Sequence, residues 1–270
     1  MESQERAERE KQQSVTAGKA AGDMMDPAKS IFRSGFFDNS FSYVQTRKVA
    51  VDRRKFRENC FVAAIPGCPE SESYKILRTQ VQQRTKAKGW NTVMVTSVQP
   101  GEGKTLTAIN LALSMAQEYH QTVMLVDCDL RNQSIHRLLG YDSRHGIADH
   151  LFEDIPLAKL IVWPGIKKLT LISGGKTIEG STELLGSPKM EQLVGEMKER
   201  YENRYIIFDV PAMLQGADAI AFLPYVDSVL LTVESGRTSM ADTKAALDLI
   251  PREKLLGFVM NRHGGYSADG

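Results

Sequence analysis

Short apolar segments that alternate with longer amphipathic ones constrain the fold of this chain most strongly. The apolar segments are NTVMVTS, TVMLVD, LTLIS, YIIFD, SVLLTV and LLGFVMN, each bounded by polar or turn-forming residues. Between two of them lies SPKMEQLVGEMKERY, in which Ser187 is placed to cap a helix and Pro188 to open its first turn. Continuous apolar strands separated by helices are typical of a parallel sheet covered on both faces. The sequence therefore predicts an α/β fold with a mostly parallel sheet flanked by helices on both faces.

The most specific motif follows the first of these strands. It reads Pro100-Gly101-Glu102-Gly103-Lys104-Thr105 and stands between a predicted strand and a predicted helix. The two glycines allow the backbone to curl around an anion with its N–H groups pointing inward. Lys104 supplies a positive charge for phosphate groups, and the Thr105 hydroxyl is a ligand for Mg²⁺. The loop departs from the strict GxxxxGK(S/T) pattern only at Val98, which stands where that pattern has glycine.

Carboxylates stand at the ends of two other predicted strands. Asp127 ends one strand and is followed by Asp129, and Asp209 ends another. Because successive strand residues point to opposite faces, Asp127 and Asp129 should leave the strand on the same side. The carboxyl edge of an open parallel sheet is also where ligands bind. Carboxylates near a triphosphate can hold Mg²⁺ or accept a proton from an attacking hydroxyl, so we expect ATP and Mg²⁺ at this edge.

Asn261 lies at the end of the last predicted strand and is a candidate for reading the adenine edge, because an amide both donates and accepts hydrogen bonds. Its spacing fits a turn asparagine equally well. The predicted nucleotide-binding residues are Pro100, Gly101, Glu102, Gly103, Lys104, Thr105, Leu106, Arg131 and Asn261.

Composition excludes several classes of protein. The chain has 34 Lys and Arg against 33 Asp and Glu, a formal charge of +1, whereas coating nucleic acid requires a strong basic excess. Its three cysteines form no CxxC pair, which argues against a zinc ribbon or a disulfide framework and favours a reducing cytosol. The most apolar stretch, residues 205–233, is interrupted by three aspartates, so no membrane span is predicted.

The chain divides into three predicted parts. Residues 1–48 form a flexible arm whose second half carries aromatic residues and ends in a basic run. The aromatic residues are Phe32, Phe36, Phe37 and Phe41. They fit a docking peptide for a partner and an arm packed on its own domain equally well. Residues 49–262 form the nucleotide-binding domain, and residues 263–270 a short flexible tail.

From about Phe61 to Asn261 the chain resembles the cytoplasmic domain of bacterial tyrosine kinases of the capsular and exopolysaccharide biosynthesis type. These kinases are P-loop NTPases of the deviant-Walker group, which also includes septum-placement and chromosome-partition ATPases. The resemblance rests on SVQPGEGKTLTAINLALSMA, VMLVDCDLRNQSIHRLLG and YIIFDVPAM, and is reinforced by GIADHLFED, STELLGSP and LLGFVMN. The DxDxR form of the second motif separates this family from other P-loop enzymes.

The resemblance implies ATP-dependent phosphorylation of protein tyrosine, mostly in the C-terminal tail of a neighbouring subunit. The implied catalytic residues are Lys104, Asp127, Asp129 and Asp209. Lys104 would bind the phosphates, and Asp129 would be the base for the tyrosine hydroxyl. Thr105, Asp127 and Asp209 would organise Mg²⁺, while Arg131 would contact phosphate or the neighbouring subunit.

The resemblance also implies partners. The subunit-contact motif E-x-x-R-x-x-R of the family appears here as Glu72, Lys75 and Arg78, with lysine replacing the middle arginine and losing its bidentate pairing. Family members end in a tyrosine cluster, whereas this chain ends in HGGYSADG with Tyr266 as the candidate phosphoacceptor. The family implies a homo-oligomer, a transmembrane polysaccharide chain-length regulator as partner, and a cytoplasmic position at the inner face of the bacterial inner membrane.

Two other functions fit part of the sequence. A partition or positioning ATPase would share the fold, but it carries an early lysine, KGGxGK(S/T), where this chain has Gln99 and Pro100. A catalytically weak nucleotide-binding adaptor would explain the single tail tyrosine. The retained set of Lys104, Asp127, Asp129 and Asp209 favours the kinase over the adaptor.

Overall fold

The computed structural model describes residues 46–52, 54–200 and 203–262. The aromatic residues of the predicted arm and Tyr266 of the predicted tail lie outside these ranges. Arg47 and Lys48, at the end of the predicted arm, are described and form a short edge strand.

Eight strands of the described chain form a single sheet. They are β1 (Arg47–Lys48), β2 (Thr92–Ser97), β3 (Thr122–Asp127), β4 (Val162–Trp163), β5 (Leu169–Ile172), β6 (Arg204–Asp209), β7 (Ser228–Glu234) and β8 (Leu255–Asn261). Their order across the sheet is β1-β4-β5-β3-β6-β2-β7-β8, and every neighbouring pair is parallel except β4 with β5. The carboxyl ends of β2, β3 and β6 therefore meet near the middle of one sheet edge.

Helices connect the strands. They are α1 (Lys55–Glu58), α2 (Ser71–Lys86), α3 (Lys104–Met115), α4 (Ile135–Leu139), α5 (Ile147–Glu153), α6 (Leu157–Leu160), α7 (Ser181–Leu185), α8 (Pro188–Glu199), α9 (Asp218–Phe222) and α10 (Met240–Asp248), with 3₁₀ turns at Val62–Ala64 and Leu223–Tyr225. Ser187 caps α8 by accepting a hydrogen bond from the Met190 N–H, as its position before Pro188 predicts. Within the described ranges, no helix is both long and apolar enough to cross a bilayer.

The core lies in two layers, one on each face of the sheet, because alternate strand residues point to opposite faces. On one face, Met94 of β2 and Phe208 of β6 pack with Leu193 of α8. On the other face, Val93 of β2 and Ile207 of β6 pack with α2 and with α3, which is almost entirely buried. Helices therefore cover both faces of the mostly parallel sheet, and the predicted fold class is confirmed.

The six strands predicted from apolar segments are all present, and TVMLVD and LLGFVMN match β3 and β8 residue for residue. Sequence analysis missed β1 and β4. Each has two residues, which is too short for any apolar periodicity to register.

Candidate nucleotide-binding site

The predicted phosphate loop joins β2 to α3 and has the backbone of an anion-binding loop. Gly101 and Gly103 adopt positive φ angles of 86° and 92°, a backbone conformation that residues with a side chain rarely adopt. Gly103 has a second constraint, because a Cβ atom there would lie 2.0 Å from Nδ2 of Asn261. Gly103 is the residue before the first turn of α3, so the loop ends at the positive end of a buried helix.

Glu102 and Asn261 hold this loop from within the protein. The Glu102 carboxylate accepts hydrogen bonds from the Gln99 N–H at 2.9 Å and from the Thr238 hydroxyl at 2.5 Å. Asn261 Nδ2 donates to the carbonyl of Glu102 at 3.0 Å. Glu102 is only 2% exposed and both its carboxylate oxygens accept hydrogen bonds, so its side chain braces the loop. The contact of Asn261 with adenine stays a prediction.

The charged residues of the predicted site converge at the carboxyl edge of the sheet. Lys104 Nζ lies 2.8 Å from Oδ2 of Asp129 and 3.8 Å from Oδ1 of Asp209. The Thr105 hydroxyl donates to Oδ2 of Asp209 at 2.7 Å. The Lys104 side chain is 12% exposed and that of Asp209 is fully buried, so these charges interact with little screening by water.

Asp127 belongs to the same cluster but is anchored by backbone amides. Its Oδ2 accepts hydrogen bonds from the N–H groups of Ser134 and Ile135, at the start of α4, and its Oδ1 accepts one from the Asp129 N–H. The register of the sheet places Asp127 beside Asp209. Sequence analysis did not identify the role of Ser134 and Ile135, although the serine before the apolar residues of NQSIHRLL marks a helix start that could have indicated it.

Burial, together with a neighbouring carboxylate, raises the pKa values of Asp127 and Asp209. Burial and the neighbouring Asp209 raise the pKa of Asp127 to about 7, against the opposing effects of its amide hydrogen bonds and of Lys104. Burial also raises the pKa of Asp209, although Lys104 and Thr105 oppose this shift. For Lys104, burial alone would lower the pKa, but Asp209, Asp129 and Asp127 raise it overall, so the ammonium stays charged.

Arg131 lies at the rim of the cluster and is held by residues that sequence analysis did not select. Its Nε is 2.7 Å from the Ser181 hydroxyl and 3.1 Å from Oδ2 of Asp218. Ser181 opens α7 within the STELLGSP segment, and Asp218 opens α9. The sequence offered one signal for the contact of Ser181 with Arg131: the STELLGSP segment supports the family resemblance, but it had no assigned role.

The remaining predicted residues lie outside this cluster of charges. Pro100 is exposed at the loop, and Leu106 packs partly buried against the α2–α3 face of the sheet.

Glu72 pairs with Lys75 at 2.8 Å on the exposed surface of α2. Arg78 is mostly buried and binds Glu118 at 3.0 Å and the carbonyl of Ser114 at 2.8 Å. Arg78 thus has partners in its own chain, and its role in subunit contact stays a prediction.

This fold and site define a nucleotide-binding protein of the P-loop class, and residues 91–253 match the AAA domain family. The chain is 30% identical over 209 residues to the tyrosine-protein kinase YwqD of Bacillus subtilis, covering 77% of this chain and 87% of YwqD. It therefore belongs to the family of bacterial tyrosine-protein kinases, and the resemblance drawn from its motifs is confirmed.

Solved structures agree with this assignment. The chimeric protein CapA2B2 superposes with a TM-score of 0.68 at 25% identity and covers 76% of this chain and 90% of that one. The kinase domain of the Escherichia coli tyrosine kinase ETK superposes with a TM-score of 0.67 at 25% identity and covers 78% of this chain and 84% of that one. Other relatives are longer proteins. The match covers 36% of Ptk of Acinetobacter johnsonii and 26% of ExoP of Rhizobium meliloti.

The alternative of a positioning ATPase has weaker support. The septum site-determining protein MinD of Pyrococcus horikoshii, complexed with Mg-ADP, superposes with a TM-score of 0.55 at 23% identity. At that identity the likeness shows a common fold and no more. The kinase family is supported by both sequence and structure.

Proposed function

We propose that this chain is an ATP-dependent protein-tyrosine kinase that acts in exopolysaccharide or capsule biosynthesis. The proposal depends most on one observation: Lys104 of the phosphate loop lies between Asp129 and Asp209 in a member of the bacterial tyrosine-kinase family. A phosphate-binding lysine beside a carboxylate that can accept a proton supplies two of the groups used to transfer a phosphoryl group to a hydroxyl.

Oxygen donors suited to Mg²⁺ surround the proposed phosphate position. The Thr105 hydroxyl, Asp209 and Asp127 lie together, and Oδ1 of Asp209 is buried without a hydrogen-bond partner among the described residues. Hard oxygen ligands of this kind fit Mg²⁺, which would neutralise charge on the β- and γ-phosphates when bound. We propose Thr105, Asp127 and Asp209 as the residues that hold it, directly or through water.

Lys104 and Asp129 have complementary roles in the proposed reaction. Lys104 turns its ammonium from Asp129 toward the β- and γ-phosphates and balances the charge that builds there. Asp129, 3% exposed, then faces the tyrosine hydroxyl and accepts its proton. The bond between the tyrosine oxygen and the γ-phosphorus forms, the bond from that phosphorus to the bridging oxygen breaks, and ADP leaves.

The proposed kinase also has a nucleotide, a subunit contact, a phosphoacceptor and a membrane partner. ATP is the nucleotide, and the amide of Asn261 contacts its adenine. The exposed Lys75 and Glu72 on α2 contact a neighbouring copy in a homo-oligomer, with Arg78 behind them. Tyr266 is a phosphoacceptor, and residues 1–48 dock on a transmembrane polysaccharide chain-length regulator that holds the chain at the inner face of the inner membrane.

Two neighbouring carboxylates allow a sharp test of these roles. Asp127→Asn should weaken binding of Mg²⁺ with a non-hydrolysable ATP analogue, measured by calorimetry. Asp129→Asn should bind that complex nearly normally but form phosphotyrosine slower by on the order of 10²-fold, or somewhat less if the base acts mainly by orienting the hydroxyl. Equal loss of binding in both variants would mean that the carboxylates form one metal site, and the separate roles would be wrong.

A further inference from the structure

The carboxylate of Asp218 gathers donors from two other segments at the rim of the site. Its Oδ2 accepts a hydrogen bond from the Ser181 hydroxyl at 2.6 Å and lies 3.1 Å from Nε of Arg131. Its Oδ1 accepts hydrogen bonds from the Thr182 hydroxyl and, at 3.3 Å, from Nη2 of Arg131. With its side chain only 5% exposed, the carboxylate has donors on both oxygens.

This arrangement fixes the orientation of Arg131. The guanidinium group is planar, so contacts along its Nε–Nη2 edge determine where the opposite corner points. Nη1 at that corner makes no hydrogen bond within the described part of the chain, and the Arg131 side chain is 44% exposed. Asp129 and Arg131 line the same small cavity, together with Gln215 and Asp218. Arg131 therefore presents one open corner beside the proposed catalytic carboxylate.

We propose that Asp218, Ser181 and Thr182 form a positioning unit that holds Arg131 for the phosphoryl group during its transfer. The inference rests on the proposed kinase function. Asp218 touches none of the reacting atoms and acts through Arg131, whose Nη1 meets a phosphoryl oxygen. Asp218 begins α9, directly after the loop that follows Asp209.

The alternative is that these contacts only hold α9 against α7. The hydrogen bonds from Ser181 and Thr182 to Asp218 already join the two helices without Arg131. An ion pair with a partly exposed arginine adds little stability. A purely structural role would therefore leave the free corner of Arg131 and its place beside Asp129 unexplained.

A double-mutant cycle on the full chain tests the unit. We expect Asp218→Asn to lower kcat for phosphotyrosine formation by on the order of tenfold, with the KM for ATP close to that of the wild type. The melting temperature should fall by only a few degrees, because the asparagine keeps one of the two acceptor oxygens. Arg131→Ala should lower kcat further, and adding Asp218→Asn to Arg131→Ala should have little additional effect, because the group being positioned is already gone. Ser181→Ala removes one donor and should give a smaller loss in the same direction.

Asp227→Asn is the matched control. Asp227 is also a largely buried carboxylate that forms an ion pair, with Lys198 at 2.7 Å. It accepts hydrogen bonds from the backbone N–H groups of Asn91 and Thr92 at the opposite end of the sheet. Its effects should add to those of Arg131→Ala. Guanidinium ion added to Arg131→Ala should restore part of kcat, and less of it when Asp218 is also replaced.

The outcomes separate the two proposals. If Asp218→Asn lowers kcat by the same factor with and without Arg131, or if only the melting temperature falls, the positioning role is wrong while the kinase function stands. If the wild-type chain forms no phosphotyrosine at all, the proposed function is wrong, and this inference fails with it.

Discussion

Asp127→Asn should remove the pH dependence that this buried carboxylate imposes on stability. Asp127 lies beside Asp209 in the sheet, and both residues are fully buried. Burial and Asp209 raise the pKa of Asp127 from 3.8 to about 7. Between these two values the folded chain binds a proton that the unfolded chain has already released. The free energy of unfolding should therefore fall as pH rises from about 4 to about 7 and should then level off.

The size of the effect follows from the shift. About 3 pKa units correspond to about 4 kcal/mol of stability lost by the time Asp127 is ionised. The asparagine carries no charge at any pH, so it avoids this loss. It should cost about 1–2 kcal/mol, because its amide nitrogen cannot accept from the backbone N–H groups that hold Asp127. At about pH 8 the variant should therefore be more stable than the wild type by about 2–3 kcal/mol.

Urea unfolding between about pH 4 and pH 8, with EDTA and without nucleotide, measures this difference. At the acid end the order of stability should reverse, because protonated Asp127 is as neutral as the amide and keeps better hydrogen bonds.

Asp227→Asn is the control variant, whose effect on stability should have the opposite pH dependence. Burial would raise the pKa of Asp227, but hydrogen bonds from Lys198, Thr92 and Asn91 lower it overall. Asp227 therefore stabilises the fold above its ordinary pKa, and its loss should matter most at neutral pH. If the free energy of unfolding changed with pH in the same way in Asp127→Asn and in the wild type, the raised pKa of Asp127 would be refuted.

Three further substitutions, one of them with its own control variant, test the phosphate loop and the cap of α8. Lys104→Met should keep the fold but abolish nucleotide-dependent phosphoryl transfer, and unchanged ATP turnover would remove Lys104 from the site. Gly103→Ala combines a φ of 92° with a contact of 2.0 Å, so calorimetry should show ATP affinity reduced at least tenfold. Gly165→Ala, with a φ of 77° and open space, should cost only backbone strain, and similar losses of affinity in both would contradict this reasoning. Ser187→Ala removes the cap of α8 and should lower the unfolding free energy by about 1 kcal/mol in urea titrations, whereas no change would show the cap to be dispensable.

The fold was predictable because its signals are local. Each central strand is a continuous apolar run, and Ser187 with Pro188 marks the start of α8 in consecutive residues. The same holds for the phosphate loop, since a contiguous motif carries its glycines, its lysine and its threonine. Sequence also placed Asp127, Asp129 and Asp209 at strand ends, and the topology brings those strand ends together.

The contacts that support the site were not predictable in this way. Asp218 meets Arg131 across 87 residues of sequence, and Thr238 meets Glu102 across 136. No local pattern specifies such pairs, because they exist only once the order of strands is fixed. Glu102 illustrates the limit: its place in the motif predicts contact with nucleotide, whereas its side chain turns inward to brace the loop.

The activity proposed for this chain is transfer of a phosphoryl group from ATP to tyrosine. The most direct measurement is to incubate the purified full chain with Mg-ATP and to map phosphotyrosine by mass spectrometry, with Lys104→Met as the inactive control. We expect phosphotyrosine in the wild type, at Tyr266 among its sites, and none in Lys104→Met. ATP consumption without phosphotyrosine, or equal phosphotyrosine in both proteins, would contradict the assignment.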